Sequence, residues 1–320
     1  GTESGVSRFD GKNFVNYSTE DGLSDNNITA MRLATDQSIW FAGSNGGLTV
    51  YRDGKFSPVV SDALPKEKKI FSIFEANDKS IWMGTASVGV VQIKNVSADL
   101  SDTKNYARYS GKDGLSEFVF DVKQDAEGTL WFLTDVGIKF LKPGTNKFEF
   151  FREEGMPFMQ ITSFLIDKTG NFWLGTVNGT ISKFDKKEKT FIHFTKDNGL
   201  PAIQNSSGGV TLNFVNALFE DSKGSIWMSV WDGGVYRHDP NASASFTFFN
   251  TDKGLSVNKI KSISEDREGN ILLGTFGAGL AVYKGEKFIS YSKKNGLINN
   301  QVWTIAQDRK GKFWFGTNEG

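Results

Sequence analysis

Phe313-Trp314-Phe315-Gly316-Thr317 is one copy of a segment that returns along the chain, and its return decides the fold. The other copies centre on Ile39-Trp40-Phe41, Ile81-Trp82-Met83-Gly84-Thr85, Leu130-Trp131-Phe132, Phe172-Trp173-Leu174-Gly175-Thr176, Ile226-Trp227-Met228 and Ile271-Leu272-Leu273-Gly274-Thr275. Six of the seven keep Trp, and Leu272 replaces it once. The central residues are 42, 49, 42, 54, 45 and 42 positions apart. Periods of roughly 40 to 50 residues belong to propeller blades, not to short solenoid repeats.

Each period reads as four short strands. The first begins near Ile28, Ile70, Val119, Ile161, Val215, Ile260 and Val302, twelve residues before each anchor centre. A tight turn follows, as in Asp125 to Gly128, Asp167 to Gly170, Asp221 to Gly224, Asp266 to Gly269 and Asp308 to Gly311. Asp at the start and Gly three residues on is type I turn chemistry: the carboxylate caps amides and Gly takes the left-handed position. The anchor is the second strand. Leu48-Thr49-Val50-Tyr51 exemplifies the third, Phe288-Ile289-Ser290-Tyr291 the fourth, and a Gly-Leu pair such as Gly254-Leu255 leads onward. Residues 1–18 hold only a third and fourth strand, and 299–320 only a first and second. The halves complement each other, which predicts one domain over 1–320: an all-β, seven-bladed propeller of four-stranded antiparallel blades, one of them composite. Pairing both ends in one sheet removes exposed strand edges.

Composition agrees. The 320 residues include 35 Gly and 28 Phe, as turns joined by aromatic strands require. The 37 basic and 37 acidic side chains cancel, so no overall field favours nucleic acid or an anionic membrane. Absence of Cys excludes disulfides, thiolate metal sites and cysteine nucleophiles. No stretch approaches the roughly 18 to 20 apolar residues of a membrane span, so no direct membrane insertion is expected. The opening Gly1-Thr2-Glu3-Ser4-Gly5 reads as the start of an excised or processed piece, and localisation is not legible from the termini.

The run from Phe14 to Ile28, with Tyr17-Ser18 and Asp21-Gly22-Leu23-Ser24, and the run from Asp308 to Thr317 together resemble the two-component-regulator propeller repeat. The resemblance covers essentially the whole chain. It implies the extracytoplasmic sensor region of a bacterial hybrid histidine kinase, a receptor that commonly carries two such propellers and a β-sandwich before the membrane. Related domains respond to glycans or their breakdown products. The implied location is periplasmic or extracellular, and any kinase activity lies outside this fragment. The repeat is a scaffold and does not name a ligand. Ala34 and Ala76 depart from the turn Asp, Leu272 from the Trp, and Ser229-Val230 from the Gly-Thr.

Catalytic machinery is not expected. His193 falls in a fourth, outermost strand and His238 at the end of a third, both read as solvent-facing and off the channel mouth. Propeller lyases resembling streptogramin lyase work through mouth histidines, carboxylates and a metal, and no such constellation is legible. The turn aspartates are followed by Lys, Arg or Ser, not by the closely spaced oxygen ligands of a calcium loop, so capping explains them and neither metal nor other cofactor is expected.

Binding candidates are the residues that break the repeat. Anchor tryptophans belong to the core, but Trp231 lies in a second-to-third-strand loop and Trp303 at the start of an innermost strand. Both positions face the channel mouth, where an aromatic ring can stack on a sugar. Asp232 beside Trp231, with Asn45, Asp135, Asn178 and Asn318 at positions read as equivalent, would form a polar ring suited to a polyhydroxylated ligand. The long connection Pro201 to Leu212 adds Gln204 and Asn205, whereas the insertion Lys94 to Tyr106 belongs to the opposite face. The expected partners are a glycan or small molecule, neighbouring receptor domains or a second copy of the chain, and no nucleic acid. A lyase or hydrolase, or a purely architectural propeller, is the alternative.

Overall fold

The structure, a computed structural model, describes residues 5–157, 160–194, 214–240 and 246–318. The strands are β1 (Val6–Phe9), β2 (Phe14–Tyr17), β3 (Ile28–Leu33), β4 (Ile39–Gly43), β5 (Leu48–Arg52), β6 (Lys55–Pro58), β7 (Ile70–Glu75), β8 (Ile81–Thr85), β9 (Val90–Ile93) and β10 (Tyr106–Tyr109). They continue as β11 (Val119–Gln124), β12 (Leu130–Thr134), β13 (Gly137–Leu141), β14 (Phe148–Phe150), β15 (Ile161–Ile166), β16 (Phe172–Thr176), β17 (Ile181–Asp185), β18 (Thr190–Phe194) and β19 (Val215–Glu220). The last are β20 (Ile226–Val230), β21 (Gly234–His238), β22 (Phe246–Phe249), β23 (Ile260–Glu265), β24 (Ile271–Thr275), β25 (Leu280–Tyr283), β26 (Phe288–Tyr291), β27 (Val302–Gln307) and β28 (Phe313–Thr317).

They form seven four-stranded antiparallel sheets, the blades of a seven-bladed β-propeller. Six blades are consecutive in sequence and the seventh has the order β2-β1-β28-β27. Val6 pairs with Gly316 and Phe9 with Phe313, so the composite blade joins strands from both ends as the sequence predicts. The described residues group into two compact units, Gly1–Phe151 with Lys293–Asn299 and Trp303–Gly320, and Arg152–Ser292 with Asn300–Val302.

In the first unit the anchor tryptophans Trp40, Trp82, Trp131 and Trp314 are buried, and in the second Trp173 and Trp227 are. Within each unit core clusters join neighbouring blades: Trp40 packs with Ile70 and Met83, and Trp173 with Val215, Met228 and Tyr236. The glycine of the anchor is where two blades close. A Cβ on Gly175 would strike Ser163 across the sheet and Val215 on the next first strand; Gly274 meets Ser262 and Val302 in the same way. Ser229 takes this place in β20, and there the cross-strand partner has shrunk to Ala217.

The turn chemistry is as predicted. Gly128, Gly170, Gly224, Gly269 and Gly311 are left-handed, and each turn Asp accepts the amide four residues on, as Asp125 does from Thr129 at 2.8 Å. Where Ala34 and Ala76 replace the Asp, Gln37 and Lys79 are forced into the left-handed region at φ 73° and 70°. A second stitch crosses between blades. The last residue of a first strand accepts the N–H of the preceding blade's turn: Glu75 from Thr35, Gln124 from Asn77, Glu220 from Lys168 and Glu265 from Ser222.

Candidate functional site

Two loops share one edge of each blade. The residue after a second strand donates its N–H to the carbonyl of the residue before the first strand: Ser44 to Asn27, Ala86 to Lys69, Val177 to Gln160, Trp231 to Phe214 and Phe276 to Lys259, at 2.8–3.0 Å. These backbone bonds fix the loops whatever their side chains are. The side chains vary accordingly, beside a first-strand start that is always Ile or Val. In a repeat protein the positions that packing does not constrain are free to carry function.

In the second unit this edge holds an aromatic group. Trp231 stacks on Phe214 with ring centroids 5.5 Å apart and planes 11° apart, and meets Phe276 edge-on at 5.4 Å. The ammonium of Lys261 lies 4.4 Å from the centroid of the indole and that of Lys259 5.7 Å from it. Trp231 is half-buried. In the first unit Trp303 is likewise half-buried, with the Lys69 ammonium 4.8 Å from its ring and 5.4 Å from Phe71, which packs edge-on against Phe120 at 5.2 Å. Burial pushes the Lys69 amine below the usual lysine range. Beside them Phe118 and Val136 stay exposed.

The polar ring is placed differently from its prediction. Asn45 and Asn178 are exposed two residues past their second strands, and Asp232 shares that register but is buried and left-handed at φ 58°. Asp135 and Asn318 sit one residue earlier, in the register of Trp231: each is four residues past its anchor Trp, whereas Asn45, Asn178 and Asp232 are five past theirs. The offset is countable in the sequence from the Trp itself. Several of these residues are already engaged within the protein. Asp135 Oδ1 accepts from Ser116 Oγ at 2.5 Å, and Asn178 Oδ1 accepts from Thr176 Oγ1 at 2.5 Å. Asn45 contributes its backbone N–H to Asp25 Oδ2 at 2.8 Å. Gln204 and Asn205 lie outside the described residues.

Sequence reasoning missed Lys69, Lys259 and Lys261, although each breaks the repeat beside the constant Ile or Val of a first strand, as Trp303 does. Of the two histidines, His193 is exposed on β18, with Nδ1 2.8 Å from Ser182 Oγ. His238 is not solvent-facing as expected. Its ring packs on Trp173, Phe194 and Phe246 at 5.1–5.6 Å. Among the described residues no group of three His, Cys, Asp or Glu side chains is placed to hold a metal ion, and no helix is long and apolar enough to cross a membrane.

Three stretches, residues 155–178, 254–277 and 296–319, match the family model described as two component regulator propeller. A search of curated proteins finds no match. Among solved structures, the extracellular domain of a candidate hybrid two-component system, BT4673 from B. thetaiotaomicron, superposes with a TM-score of 0.70 at 21% identity, covering 98% of this chain and 39% of that one. The chain thus spans well under half the length of that relative. A catalytically inactive virginiamycin B lyase from Staphylococcus aureus, with quinupristin, superposes at 0.68 and 13% identity, covering 95% of this chain and 97% of that one. PorZ of Porphyromonas gingivalis, a surface component of the type-IX secretion system, does so at 0.65 and 16%, covering 95% and 48%. At these identities each likeness concerns the fold alone. The repeat match and the blade architecture agree with each other: the chain carries stretches that match the two component regulator propeller model and is similar in fold to the extracellular domain of a candidate hybrid two-component system.

Proposed function

We propose that this propeller is a non-catalytic sensor module of an extracytoplasmic bacterial receptor, periplasmic or extracellular, that binds a glycan fragment or comparable small molecule on a loop edge such as that of Trp231 in the second unit or that of Trp303 in the first. The observation that carries the reading is that both tryptophans outside the repeat are half-buried, at positions where side chains vary between blades. Stacking on such a ring is sequence-cheap and orientation-tolerant, which suits recognition of sugars. Placement of the histidines supports a non-catalytic role: one is on an outermost strand and the other is packed among core aromatics. In a receptor, the bound state is passed on through neighbouring domains or a second copy of the chain.

A thermal-shift screen with glycan fragments, run on the wild type and on Trp231→Ala and Trp303→Ala, tests the reading. A stabilising fragment whose effect is lost in either variant is the expected result. Turnover of a fragment, lost on replacing one carboxylate of that edge, would instead show an enzyme.

A further inference from the structure

The chemistry around Trp231 is more specific than a sugar platform. A polyhydroxylated neutral ligand needs acceptors and donors beside the ring. The nearest carboxylate in sequence, Asp232, is buried within its left-handed turn. Ammonium groups stand in the place expected for acceptors. Lys259 and Lys261 both lie over the Trp231 ring, at 5.7 and 4.4 Å from its centroid, so their charges are within about 10 Å of each other. Two ammonium groups over one ring can be bridged by a carboxylate through charge-assisted contacts.

The pattern occurs twice. Lys69 precedes β7 as Lys259 precedes β23, each carbonyl accepting the N–H that follows its second strand. Each lysine then leans over an off-repeat indole, Trp303 for Lys69 and Trp231 for Lys259. Burial lowers the pKa of the Lys69 amine, because desolvation disfavours its charged form. Neither lysine answers to the repeat, whose other copies hold Asn27, Phe118, Gln160, Phe214 and Gln301 at this position.

We infer that the Trp231 group takes an acidic ring: a sugar residue whose apolar face meets Trp231 and Phe276 and whose carboxylate pairs with Lys259 and Lys261. The inference rests on the sensor reading and narrows its ligand class. Its test is a fluorescence titration with a glucuronate-terminated disaccharide and the glucose-terminated disaccharide of the same linkage. The full chain is used, with Lys259→Gln/Lys261→Gln and Trp231→Ala variants whose melting is first shown to match the wild type. The acidic probe is expected to bind about tenfold tighter than the neutral one, as a charge-assisted contact requires. The double lysine variant should erase that preference, and added salt should weaken only the acidic probe. Equal binding of both probes, lost in Trp231→Ala, overturns the acidic ring and leaves the sensor reading intact. Absence of binding by either probe overturns the inference; a fragment screen that also fails overturns the reading beneath it.

Discussion

Trp131 donates its indole N–H to Asp125 Oδ2 at 2.9 Å, and both residues are buried. The same bond recurs between Trp173 and Asp167, Trp227 and Asp221, and Trp314 and Asp308. The turn carboxylate thus does two jobs, closing its own turn with one oxygen and satisfying the next strand's tryptophan with the other. The exceptions obey the same logic. Where Ala34 and Ala76 replace the Asp, the indole donates to Ser38 or Ser80, whose hydroxyl donates to Asp36 or Asp78. Where Leu272 replaces the Trp, Asp266 Oδ2 accepts from Asn270 instead.

Asp221→Ala should therefore cost more than Asp266→Ala. Both lose turn capping, but only the first strands a buried indole N–H, worth about 1–3 kcal/mol. Urea unfolding of the two variants measures the difference. Equal losses would show that the indole bond adds nothing.

Gly175→Ser should destabilise by about 1–3 kcal/mol, since its side chain meets Ser163 and Val215. Adding Ser163→Ala should recover part of that loss, because Ala217 opposite Ser229 is the arrangement the chain already uses in β19 and β20. A double-mutant cycle reads the coupling, and strict additivity would refute it.

Burial holds the Glu220 carboxyl above its ordinary range, against the N–H of Lys168 that it accepts. A carboxyl raised in the folded state binds more protons there than when unfolded, so its ionisation removes stability as pH rises through the folded pKa. Glu220→Gln should then be more stable than the wild type at pH 7, with the advantage gone below the ordinary carboxylate pKa. Gln124 already fills the equivalent place, accepting from Asn77 at 2.8 Å. Denaturant midpoints from pH 3 to 8 check this.

Tyr236 is fully buried, its hydroxyl meets no hydrogen-bond partner, and burial pushes its pKa up to about 12. Removing an unsatisfied polar group is neutral to stabilising, so Tyr236→Phe should gain up to about 1 kcal/mol. The unfolded phenol ionises first, so the wild type sheds stability between about pH 10 and pH 12. The variant should decline less across that window. An unchanged alkaline profile would contradict the assignment.

Blade count, the start of every first strand and the composite closure were all legible, because they rest on local periodicity and on short turn motifs. The turn Asp was legible as a cap, but its bond to Trp six residues on was not, since that depends on side-chain direction across a hairpin. The one-residue offset of Asp135 and Asn318 was legible too, as four residues from the anchor Trp against five for Asn45, Asn178 and Asp232. Trp231 was legible as an exception to the repeat. Its lysines come from the next blade's first strand, roughly thirty residues away in sequence, and the aromatic surroundings of His238 come likewise from an adjacent blade.

The composite blade also governs timing. Val6 waits for Gly316 and Thr317 bonds back to Gly5, contacts some three hundred residues apart in sequence. During synthesis the β1–β2 hairpin emerges long before β27 and β28 and lacks its partner within the sheet until they follow. Such a distant pairing is entropically slow to form, so this seam closes only after β28 has been made, with the hairpin's open edge exposed to wrong partners until then.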